Sequence, residues 1–431
     1  MATKKALRTE YLIVGNSAGG IGAAEAIRET DRKNSITIVS DEPYPAYSRP
    51  LISEYLSCER TVDEMLFRPA DFYSRNNIDL IIGKSVKSLD FPRRLVELDS
   101  GEKITWKKLL LATGGTPIVP RVKGLNTTGV FKFLTLDDAK AINKFLKDYS
   151  RAVVIGGGLI GISVSEALTK RGVSVTIIEM KDRVLNTILD ERASTIAEKT
   201  ITEAGIQVIV NNTVSEIIGE TSVKGVKLDS GETIPCDLVV IAIGVLPRTE
   251  LVQGTEIKVN RGIVVDRNMA TSSPDVYACG DVAEAYDFVL DTNRLTPIWP
   301  NAYIGGRVAG FNMAGVKTEY AGGTAMNSVN YFGIDIATAG IVNSPDGNYE
   351  VLTIDKDGVY QKVILSDGLI AGIVFVKDIE KSGMIFGLMR EKVDVSDFKQ
   401  SLLADDFGLA YMPQELWRER LGNVPLLVDK H

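Results

Sequence analysis

The chain has 431 residues, 45% of them hydrophobic, and a formal net charge of −7. A chain of this length exceeds one compact core, so we expect two or three domains. The acidic balance, without any block of lysine and arginine, argues against nucleic-acid binding. No apolar run approaches the roughly 18 residues that a membrane span requires.

The start of the chain leads directly into a predicted strand, which leaves no room for a targeting signal. We therefore expect a cytoplasmic protein. Cys58, Cys236 and Cys279 lie far apart and form neither a redox pair nor a metal-binding set, so no metal site is predicted. The single histidine, His431, is the last residue and is interpreted as a chain end rather than a catalyst.

Residues 11–20 are typical of a strand, a tight turn and the start of a helix. Gly15 and Gly20 let the backbone approach a pyrophosphate, which the free N–H groups of a helix N-terminus attract. Ser17 stands where the middle glycine of such a loop is usual, next to Ala18, and its hydroxyl adds a donor. The loop predicts a dinucleotide site, although a structural strand–helix turn has the same pattern.

A second strand, over about residues 35–40, is followed by Asp41 and Glu42 and by a loop rich in proline and tyrosine. Either carboxylate could bind a ribose, and the spacing does not decide between them. A hairpin region over about residues 78–105 then leads to an apolar strand over 108–112.

The same plan returns 141 residues after the first loop, where Gly156, Gly158 and Gly161 complete the pattern G-x-G-x-x-G. Glu179 ends the next strand, where a carboxylate binds an adenosine ribose and repels a 2′-phosphate. NADH is therefore favoured over NADPH, although Lys181 and Arg183 weaken that preference. The repeated order of loop, helix, strand, hairpin and strand indicates an internal duplication.

After Gly244 the chain does not begin a third such unit. A helix is predicted over about residues 300–314, and alternating residues over 327–336 and 360–365 favour an antiparallel sheet. Helical stretches are predicted over 382–390 and 396–403. The predicted fold class is α/β, with two doubly wound, Rossmann-like dinucleotide-binding domains and a C-terminal α+β domain.

With these motifs in order, the chain resembles the pyridine nucleotide–disulphide oxidoreductase superfamily over almost its whole length. The stretches that carry the resemblance are 15–20, 110–114, 156–161, 242–244 and 276–282. Within the superfamily, residues 45–53 and 297–302 are similar to the branch of rubredoxin reductases, ferredoxin reductases and nitrite-reductase flavin domains.

The resemblance implies FAD in a discontinuous domain of residues 1–115 and 245–321, and NADH in a domain of residues 116–244. Residues 322–431 would form a C-terminal α+β interface or dimerisation domain. The implied FAD contacts are Gly15, Ser17, Ala18, Gly20, Asp41, Glu42, Arg49, Pro50, Val86, Ala112, Thr113, Gly114, Gly280, Asp281, Trp299 and Ala302. The implied NAD contacts are Gly156, Gly158, Leu159, Ile160, Gly161, Glu179 and Gly244.

Among these residues, the resemblance places Asp281 on the ribityl chain, Arg49 along the FAD, and Pro50 with residues 299–302 beside the isoalloxazine ring. No catalytic side chain is implied. Each residue also has a simpler interpretation: Asp281 could cap a helix beginning near Val282, Trp299 could belong to the core, and Arg49 could be a surface charge.

The chain departs from its superfamily in the region of residues 48–54, where disulphide-using members carry a redox cysteine and this chain has none. Cys58 lies farther along. Glu54 stands where some ferredoxin reductases place a lysine near flavin N5, and Ser163 stands where many relatives carry a glutamate that orients the nicotinamide.

These features predict that hydride passes from NADH to FAD N5 and that electrons then leave singly to a ferredoxin, a rubredoxin or another iron–sulphur or metalloenzyme subunit. The chain is expected to be a homodimer or a subunit of a larger redox complex. An acidic partner that diffuses freely would need a local basic face on this chain, whereas a permanent complex would not need one. The candidates for such a face are Arg294, Arg307, Lys377, Lys381, Arg390 and Lys392. The alternatives are an NADH oxidase that reduces oxygen and a non-catalytic FAD- and NAD-binding interaction protein.

Overall fold

The computed structural model describes residues 6–147, 150–344 and 347–414, and His431 lies outside these ranges. The chain forms two compact units, which are described separately. The first comprises Met1–Leu185 with Ile201–Ala325, and the second comprises Asn186–Thr200 with Met326–His431. None of the described helices is both long and apolar enough to cross a membrane.

Strands occur throughout the described residues. In chain order, the first nine are β1 (Leu7–Arg8), β2 (Tyr11–Val14), β3 (Ile36–Val39), β4 (Ile78–Ile81), β5 (Val86–Asp90), β6 (Leu95–Leu98), β7 (Lys103–Thr105), β8 (Lys108–Leu111) and β9 (Gly115–Pro117). The next nine are β10 (Val130–Lys132), β11 (Arg151–Ile155), β12 (Ser174–Ile178), β13 (Gln207–Ile209), β14 (Val214–Ile218), β15 (Gly225–Leu228), β16 (Thr233–Pro235), β17 (Leu238–Ile241) and β18 (Val245–Pro247). The last nine are β19 (Ile263–Val264), β20 (Val276–Ala278), β21 (Ala283–Asp287), β22 (Thr292–Arg294), β23 (Met326–Tyr331), β24 (Ile334–Gly340), β25 (Glu350–Lys356), β26 (Val359–Ser366) and β27 (Leu369–Val376).

The α-helices of the same residues are α1 (Ala18–Thr30), α2 (Ile52–Leu56), α3 (Phe72–Arg75), α4 (Leu136–Phe145), α5 (Leu159–Lys170), α6 (Glu191–Glu203), α7 (Trp299–Met313) and α8 (Ser382–Arg390).

The first sheet has five parallel strands in the order β20-β8-β2-β3-β4. Its central strands β2 and β3 are apolar and buried along their whole length, as parallel strands covered on both faces must be. The order changes direction at β2, because β3 lies on one side of it and β8 on the other. The loop after β2 therefore opens at a topological switch point, where ligands of such sheets bind.

The second sheet repeats this arrangement with five parallel strands in the order β10-β17-β11-β12-β13. Here β11 takes the central place, with β12 and β17 on its two sides. Each half also carries a small sheet of mainly antiparallel strands, β1-β7-β6-β5 in the first and β14-β15-β16 in the second. The predicted Rossmann-like duplication is confirmed.

The chain passes between the two five-stranded sheets at two places, and these two crossings pair with each other. Strands β9 and β18 form an antiparallel ribbon in which Gly115 lies opposite Pro247. The N–H of Ile118 donates to the Gly244 carbonyl, and the N–H of Arg248 donates to the Gly114 carbonyl. The second half is thus inserted into the first through one two-stranded connection.

The second unit contains an antiparallel sheet in the order β23-β24-β27-β26-β25, against which α8 packs. The segment predicted as alternating over residues 327–336 is a hairpin that turns at Phe332 and Gly333, where both φ angles are positive. Within the same unit, the buried Lys362 ammonium lies 2.8 Å from the carboxylate of Asp190, which also accepts a bond from the Tyr360 hydroxyl at 2.7 Å.

The helix predicted over residues 396–403 is wrong, because the structure has only a short 3₁₀ turn at Lys399–Ser401 there. Asp394 accounts for the difference: its carboxylate accepts hydrogen bonds from the backbone N–H of Ser396 at 2.9 Å and from the Ser396 hydroxyl at 2.6 Å. A local side-chain turn of this kind competes with the helix.

Candidate dinucleotide sites

The two glycine loops have the same geometry. Gly15 has a φ of +121°, which side chains disfavour, and a Cβ there would fall 2.1 Å from the Ala112 carbonyl oxygen. Its N–H donates to the Val39 carbonyl at 2.8 Å. A Cβ at Gly20 would fall 1.9 Å from the Gly15 carbonyl oxygen, so helix α1 can begin this close to the loop only with glycine.

The second loop reproduces each of these contacts. Gly156 has a φ of +109°, its N–H donates to the Ile178 carbonyl at 2.8 Å, and a Cβ there would lie 2.4 Å from the Ala242 carbonyl oxygen. A Cβ at Gly161 would lie 1.8 Å from the Gly156 carbonyl oxygen. The packing of strand, turn and helix is therefore repeated contact by contact.

Both loops leave polar groups and space at the start of their helices. Ser17 is the N-cap of α1, and its side chain makes no capping hydrogen bond there. Gly158 is the N-cap of α5, and a Cβ built on it would meet nothing within 4 Å. An uncommitted hydroxyl and an open approach beside helix N-termini fit a bound pyrophosphate. Leu159 and Ile160, the first residues of α5, are half-buried beside this space.

Gly280 and Asp281 follow β20, so they lie at the same carboxyl edge of the first sheet as Gly15 and as the stretch Ala112–Gly114. A Cβ at Gly280 would lie 3.4 Å from the Ala302 Cβ, which brings the start of α7 to this edge. Burial raises the pKa of Asp281, while the charge of Arg49 acts in the opposite direction. A desolvated carboxylate at the carboxyl edge of such a sheet is typical of a ligand-binding position.

The capping interpretation of Asp281 is wrong. Gly280–Val282 is a single 3₁₀ turn, and the chain then enters strand β21, which pairs with β19 and β22. No helix begins at this point for Asp281 to cap.

Trp299 begins α7 and is half-buried, with its ring perpendicular to that of Phe67 at a centroid distance of 5.1 Å. Pro50 is exposed in the 3₁₀ turn Arg49–Leu51. Neither residue is in the fully buried core, so both present surface beside the first sheet. Val86 begins β5, and Gly83 and Lys84 just before it are tied to the loop after β3: the N–H of Lys84 donates to the Ser40 carbonyl at 3.0 Å, and the N–H of Gly83 donates to the Glu42 carbonyl at 3.2 Å.

The acidic pair after β3 is divided between two sets of partners. The Asp41 carboxylate lies 2.6 Å from the Arg248 guanidinium, and both side chains are partly exposed. The Glu42 carboxylate instead accepts from Arg49 and from the Tyr47 hydroxyl, each at 2.5 Å. Arg49 is therefore a half-buried ion-pair partner and not a solvated surface charge. Thr113 also contacts this region, since its hydroxyl donates to the Arg248 carbonyl at 3.0 Å.

Tyr47 and Arg248 are residues whose positions sequence reasoning missed. The dense tyrosine and proline content of the loop was the available signal for Tyr47, and the arginine directly after the Gly244 turn was the signal for Arg248.

Glu179 is buried at the end of β12, and both of its carboxylate oxygens accept backbone hydrogen bonds. One accepts from the N–H of Gly157 at 2.6 Å and the other from the N–H of Lys181 at 2.8 Å. The carboxylate is thus oriented by the glycine loop itself. Gly244 has a φ of +118° and lies at the end of the strand next to β11, at the same edge of the second sheet.

The thiols do not form a redox centre. Cys58 is exposed, while Cys236 and Cys279 are buried, and all three are unpaired. Burial raises the pKa of Cys279 to about 12, so its thiol stays protonated at neutral pH. Glu54 forms an ion pair with Arg60.

Three of the six residues predicted for a basic face are engaged in the structure. Lys381 is buried, which contradicts its prediction as a surface charge, because its ammonium donates to the carbonyls of Leu403 and Ala404 at 3.0 Å. Arg307 forms an ion pair with Glu29 at 2.8 Å, and Arg294 lies 3.7 Å from Asp287. The other three, Lys377, Arg390 and Lys392, are exposed.

Comparison with known proteins gives matches over both units. Residues 9–306 match the pyridine nucleotide-disulphide oxidoreductase family, and residues 326–393 match the rubredoxin NAD+ reductase C-terminal domain. The chain is similar to the NADH-dependent phenylglyoxylate dehydrogenase subunit epsilon of Aromatoleum evansii, with 32% identity over 95% of this chain and 98% of that protein.

The chain is also similar to the NAD(P)H nitrite reductase of Bacillus subtilis, with 29% identity over 90% of this chain but only 48% of that longer protein. Among solved structures, NADH:rubredoxin oxidoreductase from Clostridium acetobutylicum superposes with a TM-score of 0.75. It has 27% identity, and the match covers 91% of this chain and 97% of that chain.

Proposed function

The chain belongs to the pyridine nucleotide-disulphide oxidoreductase family and is an FAD-dependent NADH oxidoreductase, and we propose an iron–sulphur partner protein or subunit as its electron acceptor. Within it we propose an FAD-binding domain of residues 1–115 and 245–321 and an NAD-binding domain of residues 116–244. Residues 322–431 are proposed as an interface or dimerisation domain.

The observation that carries this proposal is the state of the thiols beside the two glycine loops. FAD, when bound, accepts hydride from NADH and can release electrons singly. The thiol nearest the first loop is Cys279, whose sulphur lies 2.7 Å from where a Gly19 Cβ would be. It is buried and stays protonated, so it is not a nucleophile that could take electrons from the flavin. Electrons therefore leave the polypeptide.

The proposed roles of the residues follow from their positions. The N–H groups at the start of α1 and the Ser17 hydroxyl would bind the FAD pyrophosphate, and Asp281 would accept from its ribityl chain. Pro50, Trp299 and Ala302 would border the ring and exclude water from it. At the second loop, Gly158 would admit the NADH pyrophosphate, and Glu179 would accept from its ribose hydroxyls.

The form of the partner is proposed from the charges. Because Lys381 is buried and Arg307 is paired, two of the six residues considered for a basic face are not free to steer an acidic protein that diffuses freely. This supports a lasting complex with a metalloenzyme subunit, as does the similarity to a protein named as a dehydrogenase subunit. The three unpaired cysteines suit a reducing compartment, and we propose the cytoplasm.

The test is anaerobic stopped-flow reduction of the flavin by NADH, followed by mixing with ferredoxin, with rubredoxin or with oxygen. We expect NADH to bleach the flavin and reoxidation by one of the iron–sulphur proteins, or by a copurifying subunit, to be far faster than by oxygen. Reoxidation by oxygen at an equal or higher rate would instead establish an NADH oxidase. Failure of NADH to bleach the flavin would establish a binding protein without this activity.

A further inference from the structure

Five groups close a ring of hydrogen bonds between the loop after β3 and the start of helix α4. Glu42, Tyr47 and Arg49 stand on one side, and the backbone of Leu134 and Leu136 stands on the other; we name these five groups the clamp. Arg49 donates to the Leu134 carbonyl at 2.8 Å and to Glu42 at 2.5 Å. The Tyr47 hydroxyl donates to Glu42 at 2.5 Å and accepts from the Leu136 N–H at 3.0 Å.

The clamp joins the two edges at which the dinucleotide loops open. Its first side follows β3, at the carboxyl edge of the first sheet. Its second side follows β10, which runs parallel to β17 and β11. Because the carboxyl ends of parallel strands meet at one edge, Leu134 lies on the same edge of the second sheet as Gly156 and Gly244. The clamp therefore spans from one dinucleotide edge to the other.

The second side of the clamp is a rigid element. Thr135 caps helix α4 in a capping box with Asp138, whose carboxylate accepts from the N–H groups of Leu134 and Thr135 at 3.0 and 2.8 Å. Leu136, the first residue of the helix, is fully buried. A displacement of Leu134 or Leu136 therefore moves the whole first turn of α4.

The clamp is also more protected from water than the other polar contacts between these segments. Tyr47 is 6% exposed, and burial raises the pKa of its hydroxyl, which therefore remains a donor. By contrast, the Tyr44 hydroxyl bonds Asp137 and Lys140 at the surface, where solvent screens such contacts. The charge of Arg49 reaches Asp281 as well, which connects the clamp to the proposed flavin position.

We propose that Tyr47 is a positioning residue for hydride transfer. Through Glu42 and Arg49 it couples the binding of FAD to the first turn of α4. It thereby holds the carboxyl edge of the second sheet, where NADH is proposed to bind, at the distance from FAD that hydride transfer requires. This inference rests on the proposed function for its role in catalysis. The coupling itself requires only FAD, and it is tested without NADH or an acceptor.

The test is peptide-resolved hydrogen exchange of the full chain, stripped of FAD and then reconstituted. In the wild type, FAD is expected to slow exchange in residues 15–20 and also in residues 134–138. In Tyr47→Phe, the FAD-dependent slowing of exchange in residues 134–138 should be about tenfold smaller, because the loss of one buried hydrogen bond corresponds to about that factor. Residues 15–20 should keep their protection. Single-turnover flavin reduction at saturating NADH should fall by a similar factor, with little change in the NADH concentration for half saturation.

Two further variants separate this role from a general loss of stability. Leu136→Pro removes the same hydrogen bond from the other side, at the first helical position, where proline is tolerated after the extended Thr135. Because it also shortens a fully buried side chain, its melting temperature is compared with that of Tyr47→Phe. It should lose the FAD-dependent slowing in residues 134–138 as well. Tyr360→Phe removes a buried hydroxyl bonded to Asp190 within the second unit, and it should leave this slowing unchanged.

The proposal would be overturned if FAD slowed exchange in residues 134–138 as strongly in both Tyr47→Phe and Leu136→Pro as in the wild type. It would also be overturned if FAD did not slow exchange there in the wild type. A failure of the proposed function would appear elsewhere, in the reoxidation of reduced flavin by protein acceptors. The two outcomes are therefore distinguishable.

Discussion

Gly306 lies directly against the backbone of Gly19, since a Cβ atom at Gly306 would fall 2.0 Å from the Gly19 carbonyl oxygen. Four residues farther along both helices, a Cβ at Gly310 would fall 2.4 Å from the Ala23 carbonyl oxygen. Because the numbers rise together, α1 and α7 run parallel with their backbones in contact. Their N-termini, at Ala18 and Trp299, therefore point to the same side, toward the proposed FAD site, and that of α7 extends beyond that of α1.

Gly306→Ala should force α1 and α7 apart. The inserted methyl group meets backbone atoms that cannot rotate away, so we expect a loss of about 1–3 kcal/mol in the free energy of unfolding, the usual range for overpacking. Retention of FAD should fall with it, because the two helix N-termini separate. Thermal unfolding and flavin content of the purified protein measure these effects.

The matched control is Gly383→Ala in helix α8, where a Cβ would meet nothing within 4 Å. Alanine has the higher helix propensity, so this variant should gain about 0.5–1 kcal/mol. Equal effects of the two substitutions would contradict the close contact of α1 and α7.

Gly158→Ala should weaken NADH binding without unfolding the protein. Gly158 has a φ of −82°, which any residue adopts, and its Cβ position is open, so the melting temperature should change little. The methyl group would occupy the proposed path of the pyrophosphate. The KM for NADH should rise by about tenfold, which corresponds to about 1.4 kcal/mol of lost contact.

Gly161→Ala provides the comparison for this loop. Its Cβ would lie 1.8 Å from the Gly156 carbonyl oxygen, so we expect lower thermal stability as well as weaker NADH binding. An unchanged KM in Gly158→Ala would show that the nucleotide does not approach the loop at this point.

Glu179→Gln should shift the coenzyme preference toward NADPH. The substitution removes a negative charge that would repel a 2′-phosphate and disturbs the bonds to the N–H groups of Gly157 and Lys181. One unit charge a few ångströms away contributes about 1–4 kcal/mol near a protein surface. The ratio of kcat/KM for NADPH to that for NADH should therefore rise by about tenfold or more.

Glu166→Gln is the control for coenzyme preference, because Glu166 lies on α5 and forms an ion pair with Lys170 at 3.5 Å. Its ratio of kcat/KM values should match the wild type. A Glu179→Gln enzyme with the wild-type ratio would remove Glu179 from the ribose site.

Asp281→Asn should stabilise the protein without FAD and weaken its binding of FAD. Burial raises the folded-state pKa of Asp281 above the ordinary value of 3.8, so the folded state resists ionisation. At a pH below 3.8 the carboxyl is protonated in both states and contributes nothing. As the pH rises through the folded-state pKa, the cost of the buried charge develops fully and is then constant.

The stabilisation by Asp281→Asn should therefore be absent at acidic pH, grow above about pH 4 and level off, with a rise in melting temperature of about 2 °C for each 1 kcal/mol. FAD affinity should fall by about tenfold, because a charge-assisted hydrogen bond is lost. Thermal unfolding across pH and fluorescence titration with FAD measure the two effects. Glu319→Gln, at an exposed site, should change neither, and a stabilisation of equal size at every pH would exclude the raised pKa as its cause.

The duplicated loops were predictable because backbone sterics alone require glycine at Gly15 and Gly156. Such a local requirement can be recognised from the neighbouring residues. The alternative interpretation, in which Asp281 caps a helix, is wrong because pairing with β19, an earlier strand of the chain, draws the residues after Asp281 into a strand. Lys381 was misplaced for the same reason: its carbonyl partners, at Leu403 and Ala404, lie more than twenty residues away. Spacing along the chain does not reveal partners of this kind.

The different partners of Asp41 and Glu42 could not be predicted for the same reason. Asp41 and Glu42 are neighbours with the same chemistry, but one faces Arg248 and the other faces Tyr47 and Arg49. Arg248 is far away along the chain, so the sequence around the pair does not distinguish the two carboxylates.

Because β9 and β18 pair with each other, the second half, which lies between them in the chain, could be exchanged as one unit. Its two ends leave the first half side by side, with Gly115 opposite Pro247. Adjacent ends are the condition under which one domain can be inserted into another without disturbing the host. A related half with a different coenzyme preference could thus be grafted between these two strands, and the path of the remaining chain would stay the same.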